Sequence, residues 1–140
     1  MPYFPPGMPL PQPTQDDAGW WEACRRHELT IQRCAGCGAF RHTPRPVCFA
    51  CRSFEFIWQP VSGRGRIFSY TVAHHPPHPV LRDRVPYTVI VVELPDADNV
   101  RLISNLVDDR DAPVEIGQEV EVVWDDLAEN ISLPLFRRLP

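Results

Sequence analysis

Apolar and polar positions change rhythm near residue 60, and the change divides the chain. Downstream, the apolar positions come in short strand-length runs. Ile67 to Ala73 mixes β-branched and aromatic residues. Tyr87 to Leu94 is a continuous apolar run, the pattern of a strand buried on both faces. Val100 to Val107 follows the turn Pro95-Asp96-Ala97-Asp98-Asn99, so these two runs form a hairpin. Glu119 to Trp124 alternates, Val120 and Val122 against Glu119, Glu121 and Val123, with Ile116-Gly117 as the turn before it. Ser132 to Arg138 supplies a last strand, which Pro134 pushes to an edge. Five short strands in about seventy residues predict a small closed barrel of the OB type, over residues 61–140.

Upstream the pattern is irregular. Six of the seventeen prolines fall within residues 1–13, which excludes a regular helix or central strand there. Residues 1–15 therefore read as an extended proline-rich arm, a loose tail by default or an arm on a partner. Residues 16–27 read as a short helix capped by Asp16 or Asp17 and ending on Arg25 and Arg26, which complement its dipole. Trp21 and Cys24 share one face with Ala18, and Trp20 points elsewhere. Two short strand-like runs, 29–33 and 54–59, flank a cysteine-rich stretch within residues 28–60.

That stretch carries the strongest chemical signal. Cys34-x-x-Cys37 and Cys48-x-x-Cys51 stand ten residues apart. Two such knuckles face one another to build a tetrahedral thiolate cage for Zn²⁺ or iron. Gly36 and Gly38 sit where a knuckle requires positive φ or close backbone approach. The alternative is a pair of disulfides or merely buried thiols. Four thiolates leave no open coordination position, so the metal would be structural and not catalytic. Zinc is favoured over electron-carrying iron, because a rubredoxin wraps a longer segment between its cysteine pairs. Cys24 lies outside the knuckles and reads as a small core residue.

Composition narrows the function classes. At 140 residues with 44% hydrophobic content, the chain holds one domain or two small modules sharing a core. The longest pure apolar run, Val89 to Val92, is far short of a membrane span, and no secretory signal is visible. Metal-spaced cysteines suit a reducing cytosol. All fourteen basic residues are arginine, so Schiff-base and lysine-base chemistry are excluded. A net charge of −4 argues against non-specific nucleic-acid binding.

From about Trp20 to Phe136 the chain resembles a family that joins an N-terminal helix, a rubredoxin-like zinc ribbon and a C-terminal OB-fold. The resemblance is carried by Trp21-Glu22-Ala23 and by Leu29-x-x-Gln32-Arg33-Cys34-x-x-Cys37-Gly38. Pro44-Arg45-Pro46-Val47-Cys48-x-x-Cys51, Ser62-Gly63-x-Gly65 and Pro86-Tyr87 follow in order. Val91-Val92-Glu93-Leu94, Ile116-Gly117-x-x-Val120 and Leu135-Phe136 complete it. Thr43 and Phe49 stand where the family often has proline. Such proteins accompany thiolase-superfamily enzymes and acyl-CoA hydratases. The resemblance implies a non-catalytic subunit that stabilises a thiolase-like aldolase, thiolase or acyltransferase and helps shape its acyl-CoA channel.

Chemistry within the chain itself is sparse. His74, His75 and His78, stiffened by Pro76 and Pro77, could hold a second metal or act as acid and base; a polar surface loop is the alternative. With Arg82 they form a candidate contact for a partner or for CoA phosphates. Gly63-Arg64-Gly65-Arg66 lacks the Gly-Lys-Ser/Thr of a phosphate loop and reads as a strand entry, with Arg64 and Arg66 as candidate phosphate contacts. Asp108-Asp109-Arg110-Asp111 reads as a solvated turn. Trp20, Phe49, Phe54 and Phe56 are candidates for partner contact, with core packing as the alternative. Two other function classes stand beside the subunit reading. One is a single-strand nucleic-acid binder, with Phe68, Tyr70 and Tyr87 stacking bases beside Arg64, Arg66 and Arg101, although those aromatics fall where a small barrel needs core filling. The other is a stand-alone acyl-CoA-binding protein or enzyme.

Overall fold

The computed structural model describes residues 3–140. One helix, α1 (Ala18–Arg25), precedes β1 (Thr30–Cys34), β2 (Phe40–Arg41) and β3 (Phe56–Pro60), which form a sheet in the order β2-β1-β3. The barrel strands follow: β4 (Arg64–Ala73), β5 (Tyr87–Leu94), β6 (Val100–Leu106), β7 (Glu119–Ala128) and β8 (Ile131–Arg138). They close in the order β4-β5-β6-β8-β7, all neighbours antiparallel except β6 and β8.

The helix buries a different face from the one its sequence suggests. Trp20, Ala23 and Cys24 are buried, and Trp21 stands half-buried with its ring edge-on to Trp20 at 4.8 Å. Gly19 is the reason. A Cβ there would lie 2.4 Å from Nε1 of Trp58 on β3, so only glycine lets the helix settle on the small sheet. Asp17 occupies the cap position but does not cap the helix; its carboxylate accepts the Thr14 N–H at 2.6 Å and the Thr14 hydroxyl at 3.1 Å. The arm before it is not a loose tail. Asp125, buried on β7, accepts the backbone N–H groups of Tyr3 and Phe4 at 3.1 and 3.2 Å, and Arg84 donates to the Tyr3 carbonyl at 2.8 Å.

Helix, small sheet and barrel share one core: Trp20, Cys24, Leu29 and Ile31 join Ile67, Ile90, Val92, Leu94, Val120 and Phe136. Strand β5 is not buried on both faces. Ile90, Val92 and Leu94 point inward, and Val89, Val91 and Glu93 stay half-exposed, because a single barrel has no second layer outside it. Gly65 allows the tight coiling of β4: a Cβ there would meet the Glu93 carbonyl oxygen at 2.5 Å. A register shift between Ile67 and Ser69 leaves Phe68 unpaired, and from there on no residue of β4 is buried. Phe68 and Tyr70 are exposed, contrary to the core-filling role expected of them.

Strand β8 is not a free edge. It pairs with β7 along its length, and only Leu106 and Phe136 register it against β6. Pro134, which has no N–H to give, lies beside this gap and accepts the Ser104 hydroxyl through its carbonyl at 2.7 Å. The Asp108–Asp111 turn is also more than solvated. Asp108 accepts the Arg138 backbone N–H at 2.6 Å and pairs with its guanidinium, which donates to the Ala112 carbonyl at 3.0 Å.

Candidate metal centre

Cys34 ends β1 and Cys37 follows a tight turn closed by the Gly38 N–H donating to the Cys34 carbonyl at 3.0 Å. Gly38 has φ +80°, the left-handed conformation that turn requires. The second knuckle repeats the device, with the Arg52 N–H donating to the Cys48 carbonyl at 3.0 Å. A side chain holds the second knuckle against the first. Gln32, fully buried on β1, exchanges both amide hydrogen bonds with the Arg45 backbone, donating at 2.9 Å and accepting at 2.8 Å. Arg41 adds donation to the same Arg45 carbonyl at 2.9 Å.

The result is a sulfur cluster. The four Sγ atoms of Cys34, Cys37, Cys48 and Cys51 lie within 4.8 Å of one another, with Cys34–Cys51 at 3.5 Å and Cys37–Cys48 at 3.6 Å. Zinc–sulfur bonds of about 2.3 Å in a tetrahedron place sulfurs about 3.8 Å apart, so the cage fits the ion. All five cysteines are free thiols, which removes the disulfide alternative. Backbone N–H groups are aimed at the sulfurs: those of Cys37 and Gly36 reach Cys34 at 3.4 and 3.3 Å, and Ala50 reaches Cys48 at 3.4 Å. The Cys37 N–H foremost holds the Cys34 thiol down to about 6, while the Cys51 thiol facing it is pushed up to about 11 by the neighbouring sulfurs. Cys34 is therefore the thiolate of that pair, and a bound metal would displace the proton from Cys51. Cys24 differs: burial pushes its thiol up to about 12, the value of an inert core residue. Zinc in this cage would be held by all four cysteines and would cross-link the two knuckles.

The remaining candidates do not converge. His74, His75 and Arg82 are exposed, and His78 is spent on accepting the Val80 N–H through Nδ1 at 3.2 Å. Among the described residues, only the four cysteines form a group able to hold a metal, so the histidines build no second site. Arg64 is exposed. Arg66 contacts Glu93 at 3.5 Å and Asn99 at 3.0 Å. The aromatic candidates separate cleanly. Phe49 and Phe54 are 74% and 70% exposed and Phe56 is 37% exposed. Trp20, at 6%, donates its indole N–H to the Thr30 carbonyl and belongs to the core. Sequence reasoning missed the Gln32–Arg45 bracket. The motif position of Gln32 was the available signal, but nothing local shows that a glutamine is buried against a loop thirteen residues away.

The described geometry agrees with what comparison with known proteins finds. The family model for the ChsH2 rubredoxin-like zinc ribbon domain matches residues 21–56, and that for the ChsH2 C-terminal OB-fold domain matches residues 58–125. A solved chain in the structure titled "Ltp2-ChsH2(DUF35) aldolase" is 41% identical with a TM-score of 0.82, over 91% of this chain and 98% of that one. A "Probable enoyl-CoA hydratase alpha subunit" of Thermomonospora curvata is 42% identical over 92% of this chain and 39% of its own length. A "DUF35 domain-containing scaffold protein" of Methanothermobacter thermautotrophicus is 35% identical over 79% of this chain and 82% of its own. This chain thus spans about two fifths of the first hydratase relatives and most of the scaffold proteins.

Proposed function

This chain belongs to the ChsH2 (DUF35) family of zinc-ribbon and OB-fold proteins, and on that premise we propose that it is a non-catalytic subunit of an acyl-CoA-processing complex. In this reading it stabilises a thiolase-superfamily enzyme, an aldolase, thiolase or acyltransferase, and helps shape the channel for that enzyme's acyl-CoA. The observation that carries the reading is the match to the ChsH2 chain of an aldolase structure, over 98% of that chain. Two features of the site support it. A cage of four sulfurs offers zinc no open position, so its metal cannot activate water or polarise a thioester. The ribbon also presents large apolar side chains to solvent, as a surface awaiting a partner does. The hydratase relatives do not extend hydration chemistry to this chain, which covers only 39% of their length. The test is to co-express the chain with the thiolase-superfamily enzymes of its own genome. Co-purification, with thioester turnover only in the pair, supports the reading; turnover by the isolated chain defeats it.

A second reading, single-strand nucleic-acid binding, draws on the exposure of Phe68 and Tyr70. Charge opposes it. Arg66 and Arg101 share Glu93, at 3.5 and 3.3 Å, and the Arg101 guanidinium already covers the Phe68 ring at 3.6 Å. A polarisation titration with single-stranded oligonucleotides at low salt decides, a steep salt dependence favouring this reading.

A further inference from the structure

The ribbon and the remainder of the chain have opposite charge. Residues 29–60 carry Arg33, Arg41, Arg45 and Arg52 against the single acid Glu55, while the other residues carry ten arginines against seventeen acids. Elsewhere, Arg25, Arg26, Arg66, Arg101, Arg137 and Arg138, six of the ten, pair with carboxylates, and Arg84 and Arg110 donate to backbone carbonyls. Among the described residues, no ribbon arginine pairs with a carboxylate. Arg33 donates to the Gly38 carbonyl and lies over Phe40 at 4.7 Å, and Arg41 is turned inward onto the Arg45 carbonyl. Arg45 and Arg52 flank the second knuckle in sequence, stand exposed, and contact no carboxylate. Around the same knuckle in sequence Val47, Phe49 and Phe54 are exposed, and Phe56 and Ile57 at the start of β3 are exposed on its two faces. Exposed phenylalanines with unneutralised arginines, on a frame the metal would hold rigid, make the composition of an interface centre and its rim.

We infer that the second knuckle is the docking point for the partner enzyme, and that the partner offers an apolar pocket rimmed by carboxylates. This rests on the subunit reading and adds to it the chemistry of the opposing surface. Phe49 and Phe54 enter the pocket; Arg45 and Arg52 find on the partner the carboxylates they lack in this chain. The acidic remainder of the molecule repels that rim, so the ribbon leads the approach and sets its orientation.

The test measures binding of the zinc-loaded chain to the thiolase-superfamily enzyme that co-purifies with it, by calorimetry and stopped flow across a salt series. Phe49→Ser with Phe54→Ser weakens affinity by about tenfold or more. Arg45→Glu with Arg52→Glu slows association by about tenfold and flattens or inverts the salt dependence. Zinc content and melting temperature, measured on every variant, show that the ribbon is intact; all four positions are exposed, so both stay at wild-type values. Wild-type affinity and salt slope in the arginine variant overturn the carboxylate rim, and wild-type affinity in the phenylalanine variant overturns the pocket, while each leaves the subunit reading standing. No binding by the wild-type chain at any salt overturns both.

Discussion

At the scale of single residues, two buried polar side chains on the ribbon have measurable consequences. His42 is largely buried near Trp20, its Nδ1 without a hydrogen-bond partner, and burial holds its imidazole down to about 4. An unfolded histidine titrates near 6.5. Between those values the unfolded chain takes up a proton that the folded chain refuses, so stability falls as pH drops from about 6.5 toward 4. The full difference is on the order of 3 kcal/mol. Denaturant unfolding at pH 7 and pH 5 should show this slope in the wild type, and His42→Phe should flatten it. Gln32 is the second case. Gln32→Leu keeps the side-chain volume but strips the Arg45 backbone of both partners, at a cost of about 1–3 kcal/mol. Because the bracket positions the second knuckle, zinc affinity measured by chelator competition should fall with stability, whereas Phe54→Ser should leave it unchanged.

At the scale of elements, the ribbon is the part that depends on its ion. Its sheet is three short strands, and β2 is only two residues long. Such a unit cannot bury enough apolar surface to hold itself together. Elemental analysis of protein from ordinary medium should give one zinc and no iron per chain. Stripping it, or replacing Cys37 with serine, should lower the melting temperature by more than about 10 °C. The loss should reach the barrel, since Leu29 and Ile31 belong to the common core. Much of this was legible in the sequence. The cysteine spacing located the cage, and the short apolar runs located every barrel strand, because both are local patterns. What escaped was decided at a distance. The buried helix face depends on Trp58 meeting Gly19, and the exposure of Phe68 and Tyr70 depends on β4 continuing past Ile67, its last buried residue. Neither leaves a periodic trace.

At the scale of the whole molecule, contacts far apart in sequence tie the pieces together. The arm that proline content marked as loose is clasped by Asp125 and Arg84, more than eighty residues away. His27, just after α1, stacks flat on Trp124 of β7 at 5.3 Å and contacts Asp126 at 2.7 Å. Charge is distributed as unevenly as contact, with the basic ribbon opposite an acidic remainder. Association should therefore respond to salt through the ribbon arginines far more than through those already paired on the barrel. The meeting of β6 with β8 at Leu106 and Phe136 has a kinetic counterpart. Hairpins such as β5–β6 and β7–β8 can nucleate locally, but this parallel seam must wait until both are formed, and its loop entropy is lost before any contact rewards it. The seam should be the last stave to seat when the chain refolds. Leu106→Ala should then hasten unfolding while leaving the refolding rate nearly untouched in stopped-flow experiments, and an equal slowing of refolding would show that the ring closes early.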